Sequence, residues 1–344
     1  MSVVSDPPEV EGRASPRPDA QRRIDRRYRL QQSGVDAAVI TTVCLALSVI
    51  YALIRPDAFA FLTQANLSNA AVTVTFTGIP ALGVGILMIA GEFDLSIGAN
   101  FVFASIVMAQ LYADDGMSVW LAALVALAIG TAVGLINGLI TLRLKIPSFI
   151  TTLGTAGIWE AAILFVHGAA EQPFNPPSSF AHVVTDNIVG VPAAFWWFIV
   201  LAIAGWALLQ RHRLGNHIFA AGGNRSAAIG TGVRVNRAKY IAFALAGLCA
   251  ALGGILSAGS LNDVSATTNA DLPLQAIAAC VIGGVFLMGG RGTILGIVLG
   301  SVLLYWIQDV LLLLAAPSFY LTAFVGALVI VAAVLYQFLQ SQRT

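Results

Sequence analysis

The chain has 344 residues, of which 58% are hydrophobic and 10% charged, with a mean hydropathy of +0.84 and a formal net charge of +1. A soluble globular protein carries about 25% charged residues, so most of this surface does not face water. The near-neutral charge gives no basis for nucleic-acid binding, and Cys44, Cys249 and Cys280 lie in apolar runs without a metal-ligand partner.

Residues 1–33 stand apart. Pro7, Pro8, Pro16 and Pro18 oppose an early helix, and Arg13, Arg17, Arg22, Arg23, Arg26, Arg27 and Arg29 form a dense basic cluster. The polar stretch is too long for a secretory signal, and the apolar run behind it is long enough to span. It reads as an uncleaved, disordered cytoplasmic tail ending at the membrane surface. A span takes about 20 apolar residues. Such runs occur at 36–54, 67–90, 96–113, 118–142, 149–168, 192–210, 238–261, 272–288, 293–314 and 318–339. The expectation is an all-α polytopic membrane protein. It has about ten transmembrane helices, some broken or re-entrant, in one membrane domain over 34–344.

Basic residues set the orientation. Segments 1–35, 143–148, 211–237, 289–292 and 340–344 hold seven, two, five, one and one of the 18 Lys and Arg residues. With Lys239, 17 of the 18 fall on the side of the N-terminus, and only Arg55 falls outside. The opposite loops carry Asp57, Asp114, Asp115, Glu171, Asp186, Asp263 and Asp271. Both termini are therefore expected in the cytoplasm.

Five features carry chemistry. Gly91-Glu92-Phe93-Asp94-Leu95-Ser96-Ile97-Gly98 sets two carboxylates between apolar runs. Charge at membrane depth is costly and marks a cavity or a broken helix; a tight headgroup loop is the plain alternative. A similar break runs from Gly283-Gly284 to Gly289-Gly290-Arg291-Gly292. The pairing invites an internal repeat, but the two breaks fall at non-equivalent loops of two five-span halves. Gly130, Gly134 and Gly138, and again Gly292, Gly296 and Gly300, give flat helix faces for close contact, within the chain or between copies. Glu160 and Asp309 are acids inside spans, suited to bind a sugar, relay a proton or pack against a neighbour. Asp309 belongs to the outer part of its span.

The long basic loop 211–237 is the fifth. Asn224 suits the N-cap of a short helix over 225–230, and Gly232 suits its end. A short helix across such a loop is a docking surface; the plain alternative is an ordinary charged loop, in which His212 and His217 are solvated. One absence also counts. The two lysines, in Leu144-Lys145-Ile146 and Ala238-Lys239-Tyr240, cannot form a Gly-Lys-Ser/Thr phosphate loop. Any ATP-driven step by that route belongs to another subunit.

Taken together, Ile89–Gly98, Gly134–Gly154, Leu214–Val235 and Ala276–Gly300 resemble the permease subunits of ribose-type ATP-binding-cassette sugar importers, which also serve xylose, arabinose and galactose. The resemblance covers 64–339 and keeps the order and spacing of the motifs. It implies a bacterial inner-membrane subunit, paired with a second permease (a copy of itself or a close paralogue) and embedded in membrane lipid. A periplasmic binding protein delivers the sugar or related polyol. A cytoplasmic ATPase binds ATP-Mg, and this chain holds no cofactor or metal and is not an enzyme. The segment 223–232 matches the coupling loop, so Gly223, Asn224, Arg225, Ala227, Ala228 and Gly232 become candidate ATPase contacts. Glu92, Asp94, Ser96, Glu160 and Phe286 are candidates for the solute path. The chain departs from the family pattern at Glu92, Pro273, Val285 and Phe286, which flank the breaks and bear on which sugar is carried. A proton-coupled carrier using Glu160 or Asp309 is the alternative; a membrane enzyme lacks any clustered nucleophile or metal set.

Overall fold

A lipid-facing backbone has no water to bond to, so each apolar run closes its own hydrogen bonds as a helix. The computed structural model describes residues 35–55, 59–168, 170–265 and 271–317, with 319, 320, 322–327, 330 and 334. The tail 1–33 lies outside the described residues, as does much of the run 318–339.

The long helices are α1 (Val35–Ile54), α2 (Gln64–Ile89), α3 (Ile97–Ala113), α4 (Val119–Leu144) and α5 (Ser148–His167). A strand β1 (Glu171–Pro173), a short helix α6 (Ser178–Thr185), and strands β2 (Asn187–Ile188) and β3 (Val191–Pro192) follow. Then come α7 (Ala193–Arg211), α8 (Arg213–Gly223), α9 (Arg225–Gly230), α10 (Val235–Leu261), β4 (Asp263–Ser265), α11 (Leu272–Ile282) and α12 (Ile294–Leu313). Among the described residues, six helices are long and apolar enough to cross a membrane: α2, α4, α5, α7, α10 and α12. Residues 38–54, α3 and α11 are shorter apolar helices. The expected span 272–288 ends early, because α11 stops at Ile282 and Gly284, Gly289 and Gly290 turn the chain through positive φ. Pro273 sits in the first turn of α11, where its missing N–H costs nothing.

Buried α2 and α10 form the centre, and α10 packs on α2, α3 and α4. The first glycine series explains the closeness. Gly130 and Gly134 on α4 face Gly247 and the Phe243 carbonyl on α10, with no room for a Cβ. Asn100 on α3 donates to the carbonyls of Gly130 (3.1 Å) and Gly247 (3.2 Å), joining the three helices. The second series works likewise: Gly296 meets the Gly283 carbonyl and Gly300 that of Ala279. Both series are therefore contacts within the chain.

Hydrogen bonds gather the helix ends into two groups. At one end β1 pairs antiparallel with β4, and Gln110 at the end of α3 reaches Val166 and His167 at the end of α5. Asn66 at the start of α2 donates there to Asp309 near the end of α12 (2.9 Å). At the other end Phe93 N, between α2 and α3, donates to Ser148 Oγ at the start of α5 (3.0 Å).

Candidate functional site

This second end collects the residues singled out from sequence. His212 opens α8 by accepting at Nδ1 from Leu214 N (3.1 Å), so it is a helix cap, and His217 lies within the helix. His212 is nonetheless exposed, at the turn before the helix, and only His217, half-buried within α8, departs from a solvated loop position. Helix α8 packs on α7 and α10 and finishes on Gly222-Gly223. There Gly222 abuts the Ile89 carbonyl and Gly290, and Gly289 abuts Gly91 and Gly222. Gly290 N donates to Ile89 O (2.8 Å). The first break, the end of α8 and the second break thus meet backbone to backbone. Gly91, Gly289 and Gly290 also take positive φ, of 81°, 80° and 75°, which side-chain-bearing residues rarely adopt.

Helix α9 is the short capped helix expected. Asn224 is extended, and its Oδ1 accepts from Ala227 N (3.0 Å) and Ser226 Oγ (2.9 Å). Gly232 turns the chain away at φ 82°. Arg225 donates to Asn236 across the turn (3.3 Å). Gly223, Asn224, Arg225, Ala227 and Gly232 are exposed. Ala228 is not: it is 4% exposed and joins this chain's own core, so its side chain presents no docking face. Ile229 on the same turn is 56% exposed, an apolar side chain that the sequence pattern gives no reason to single out.

The five solute-path candidates separate. Asp94 and Ser96 are buried and turned on each other: Asp94 Oδ1 accepts from Ser96 N (2.8 Å) and Ser96 Oγ (2.7 Å). Asn137 on α4 donates to both Asp94 oxygens and to Ser96 Oγ (2.7 Å). Glu92 accepts from Lys239 Nζ in an ion pair whose side chains are only 12% and 7% exposed. Phe286 is partly buried, under the Arg291 guanidinium at 5.3 Å from its ring centre. Glu160 is exposed on α5, on a face where Gly154 and Gly157 have nothing within 4 Å. Asp309 is 2% exposed and held by Asn66 and Tyr305.

The family described as "Branched-chain amino acid transport system / permease component" matches residues 66–334. The chain belongs to this family. A ribose import permease protein of Haemophilus influenzae is 30% identical over 315 residues, 90% of this chain and 93% of the relative. An autoinducer 2 import system permease protein of Salmonella typhimurium is 30% identical over 312 residues, 89% of this chain and 86% of the relative. The Escherichia coli K12 ribose import permease protein is 31% identical over 294 residues, 85% and 91% of the two chains. No solved structure matches. This permease is a transport subunit and not an enzyme, a multi-pass protein of the bacterial inner membrane. The proton-coupled-carrier alternative gives way to that assignment.

Proposed function

We propose that the permease carries a sugar or related polyol inward across the membrane, as one of two permease subunits. A periplasmic binding protein delivers the solute, and a separate ATPase binds ATP-Mg. In this reading the chain crosses ten times with both termini cytoplasmic. Six spanning helices and three shorter apolar ones among the described residues, with the apolar run 318–339 after them, support the count, and the sorting of Lys and Arg supports the orientation. Relatives named for ribose support the solute class.

One observation carries the coupling mechanism: the end of α8 touches both breaks through glycine backbone. The exposed face of Gly223, Asn224, Arg225, Ala227, Ile229 and Gly232 receives the ATPase's movement. A backbone contact without intervening side chains passes displacement on without rotamer slack. Glu92, Asp94 and Ser96 hold the first break in shape rather than touching solute. Glu160, on the open face of α5, and Phe286 at the second break are the solute-path residues in this reading. A charge in the middle of an apolar helix is tolerated facing a wet cavity or a partner, not lipid.

The test is reconstitution of the permease with its ATPase and binding protein in vesicles. Labelled ribose, xylose, arabinose and galactose are offered in turn, with ATP inside and no proton gradient. ATP-dependent accumulation of one of them is the expected result. Accumulation of a branched-chain amino acid instead, with no sugar taken up, defeats the solute assignment.

A further inference from the structure

A cavity of ≈330 Å³ opens between the first turns of α8 and α10, with Arg213, Arg234 and Arg237 among its lining and no carboxylate. All three arginines are exposed, and none has an ion-pair or hydrogen-bond acceptor among the described residues. Both described ion pairs lie elsewhere: His182 with Asp186, and Lys239 with Glu92. A general excess of positive charge at this end explains basic residues scattered over a surface. It does not explain three guanidinium-bearing residues around one concavity, where mutual repulsion is uncompensated. Guanidinium forks match phosphate oxygens. The cavity also meets the start of α10, whose Arg234 cap position makes no side-chain hydrogen bond to the first turn. Such an uncapped N-terminus adds its partial positive charge.

The surroundings say which phosphate. Arg211, two residues before Arg213, stacks 5.4 Å from the Trp206 ring centre, and Trp206 is 44% exposed on α7. An exposed Trp with a cationic neighbour at the end of a spanning helix marks the headgroup level of a bilayer. Leu214 and Ile241 add an apolar wall to the same cavity. We propose that this cavity binds the phosphate-bearing headgroup of an anionic membrane lipid, with Arg213, Arg234 and Arg237 as its ligands. Basic pockets between spanning helices suit such headgroups. Gly232, just past α9, borders both this cavity and the exposed face of α9, so the two surfaces adjoin while the arginines belong to the cavity alone. The lipid site does not rest on the solute assignment.

The experiment is native mass spectrometry of the full-length permease in detergent, offered equal amounts of phosphatidylglycerol and phosphatidylcholine. Phosphatidylglycerol adducts dominate on the unmodified protein. Each of Arg213→Ala, Arg234→Ala and Arg237→Ala lowers that preference about fivefold, the effect of a basic residue at a membrane surface; Arg55→Ala, at the other end, leaves it unchanged. Equal retention of both lipids by the unmodified protein overturns the proposal, and that comparison decides the matter even if the triple variant fails to fold. Calorimetry with inorganic phosphate separates the sources. Phosphate binding that needs the same arginines and displaces phosphatidylglycerol assigns the site to free phosphate and overturns the lipid. A triple variant that keeps its lipid preference but no longer co-purifies with the ATPase makes the cavity a protein contact, which also overturns it.

Discussion

Gly222 lies against the carbonyl of Ile89 so closely that no Cβ fits between them. One side of this contact is the end of α8, which leads directly into the exposed helix α9. The other is the last residue of α2, where the first break begins. A movement of α8 therefore reaches the break with no deformable side chain in between. Gly290, hydrogen-bonded to the same Ile89 carbonyl, brings the second break into the contact.

Gly222→Ala forces backbone apart, because the atoms it meets belong to Ile89, Ala90 and Gly290 main chain. Overpacking of this kind costs about 1–3 kcal/mol. Gly326→Ala is the control: an added Cβ there meets nothing within 4 Å. Uptake in the reconstituted system should fall at least tenfold for Gly222→Ala and stay near normal for Gly326→Ala. Equal uptake by the two removes the junction from the coupling path.

The Glu92–Lys239 pair ties the first break to the start of α10. Removing one partner strands a nearly buried charge, a loss of about 3–5 kcal/mol. Glu92→Gln or Lys239→Met alone should lower the melting temperature in detergent, and the double variant should recover most of the loss. Additive losses in that cycle would show that the two groups act independently.

Asn137→Leu removes the α4 donor to Asp94 and Ser96 while keeping side-chain bulk. A stranded hydrogen-bonding group costs about 1–3 kcal/mol, more when charged. Thermal stability should drop while the KM for transported solute stays unchanged in the protein that folds. A raised KM at unchanged stability would return Asp94 and Ser96 to the solute path.

Glu160 has exposed surface around it, so Glu160→Gln should leave folding intact, within about 0.5 kcal/mol, and impair uptake. Cysteine at Gly157, where an added Cβ meets nothing, should form a disulfide-linked dimer under mild oxidation if the open face of α5 meets a second copy. Full uptake by Glu160→Gln places the path elsewhere.

Ile229→Asp should weaken co-purification with the ATPase without loss of folded permease, because Ile229 projects from α9. Ala228→Asp should instead reduce folded protein, since Ala228 is buried in the chain's own core. Size-exclusion profiles and pull-down yields separate the two outcomes.

Several of these elements are visible in the residues alone. Apolar runs of spanning length can only be helices in lipid, because a backbone there has no water to satisfy its hydrogen bonds. That rule is local, so composition and spacing suffice for an all-helical, multi-pass chain. The cap of α9 is also local: Asn224 and Gly232 satisfy backbone requirements within eight residues of each other. What stayed hidden depends on partners distant in sequence. Glu92 reads as a stray charge until α10 brings Lys239 beside it, 147 residues on. Asp94 and Ser96 give no sign in the sequence of Asn137, the α4 side chain that bonds to both. Ala228 looks like a docking face until packing shows which side of a six-residue helix is covered. Gly222 gives no sign of its role beyond being glycine. Its conformational freedom is legible anywhere, but the need for it arises only where two breaks and a helix end converge. Only tertiary packing decides that, because backbone–backbone exclusion acts between atoms near in space, whatever separates them along the chain.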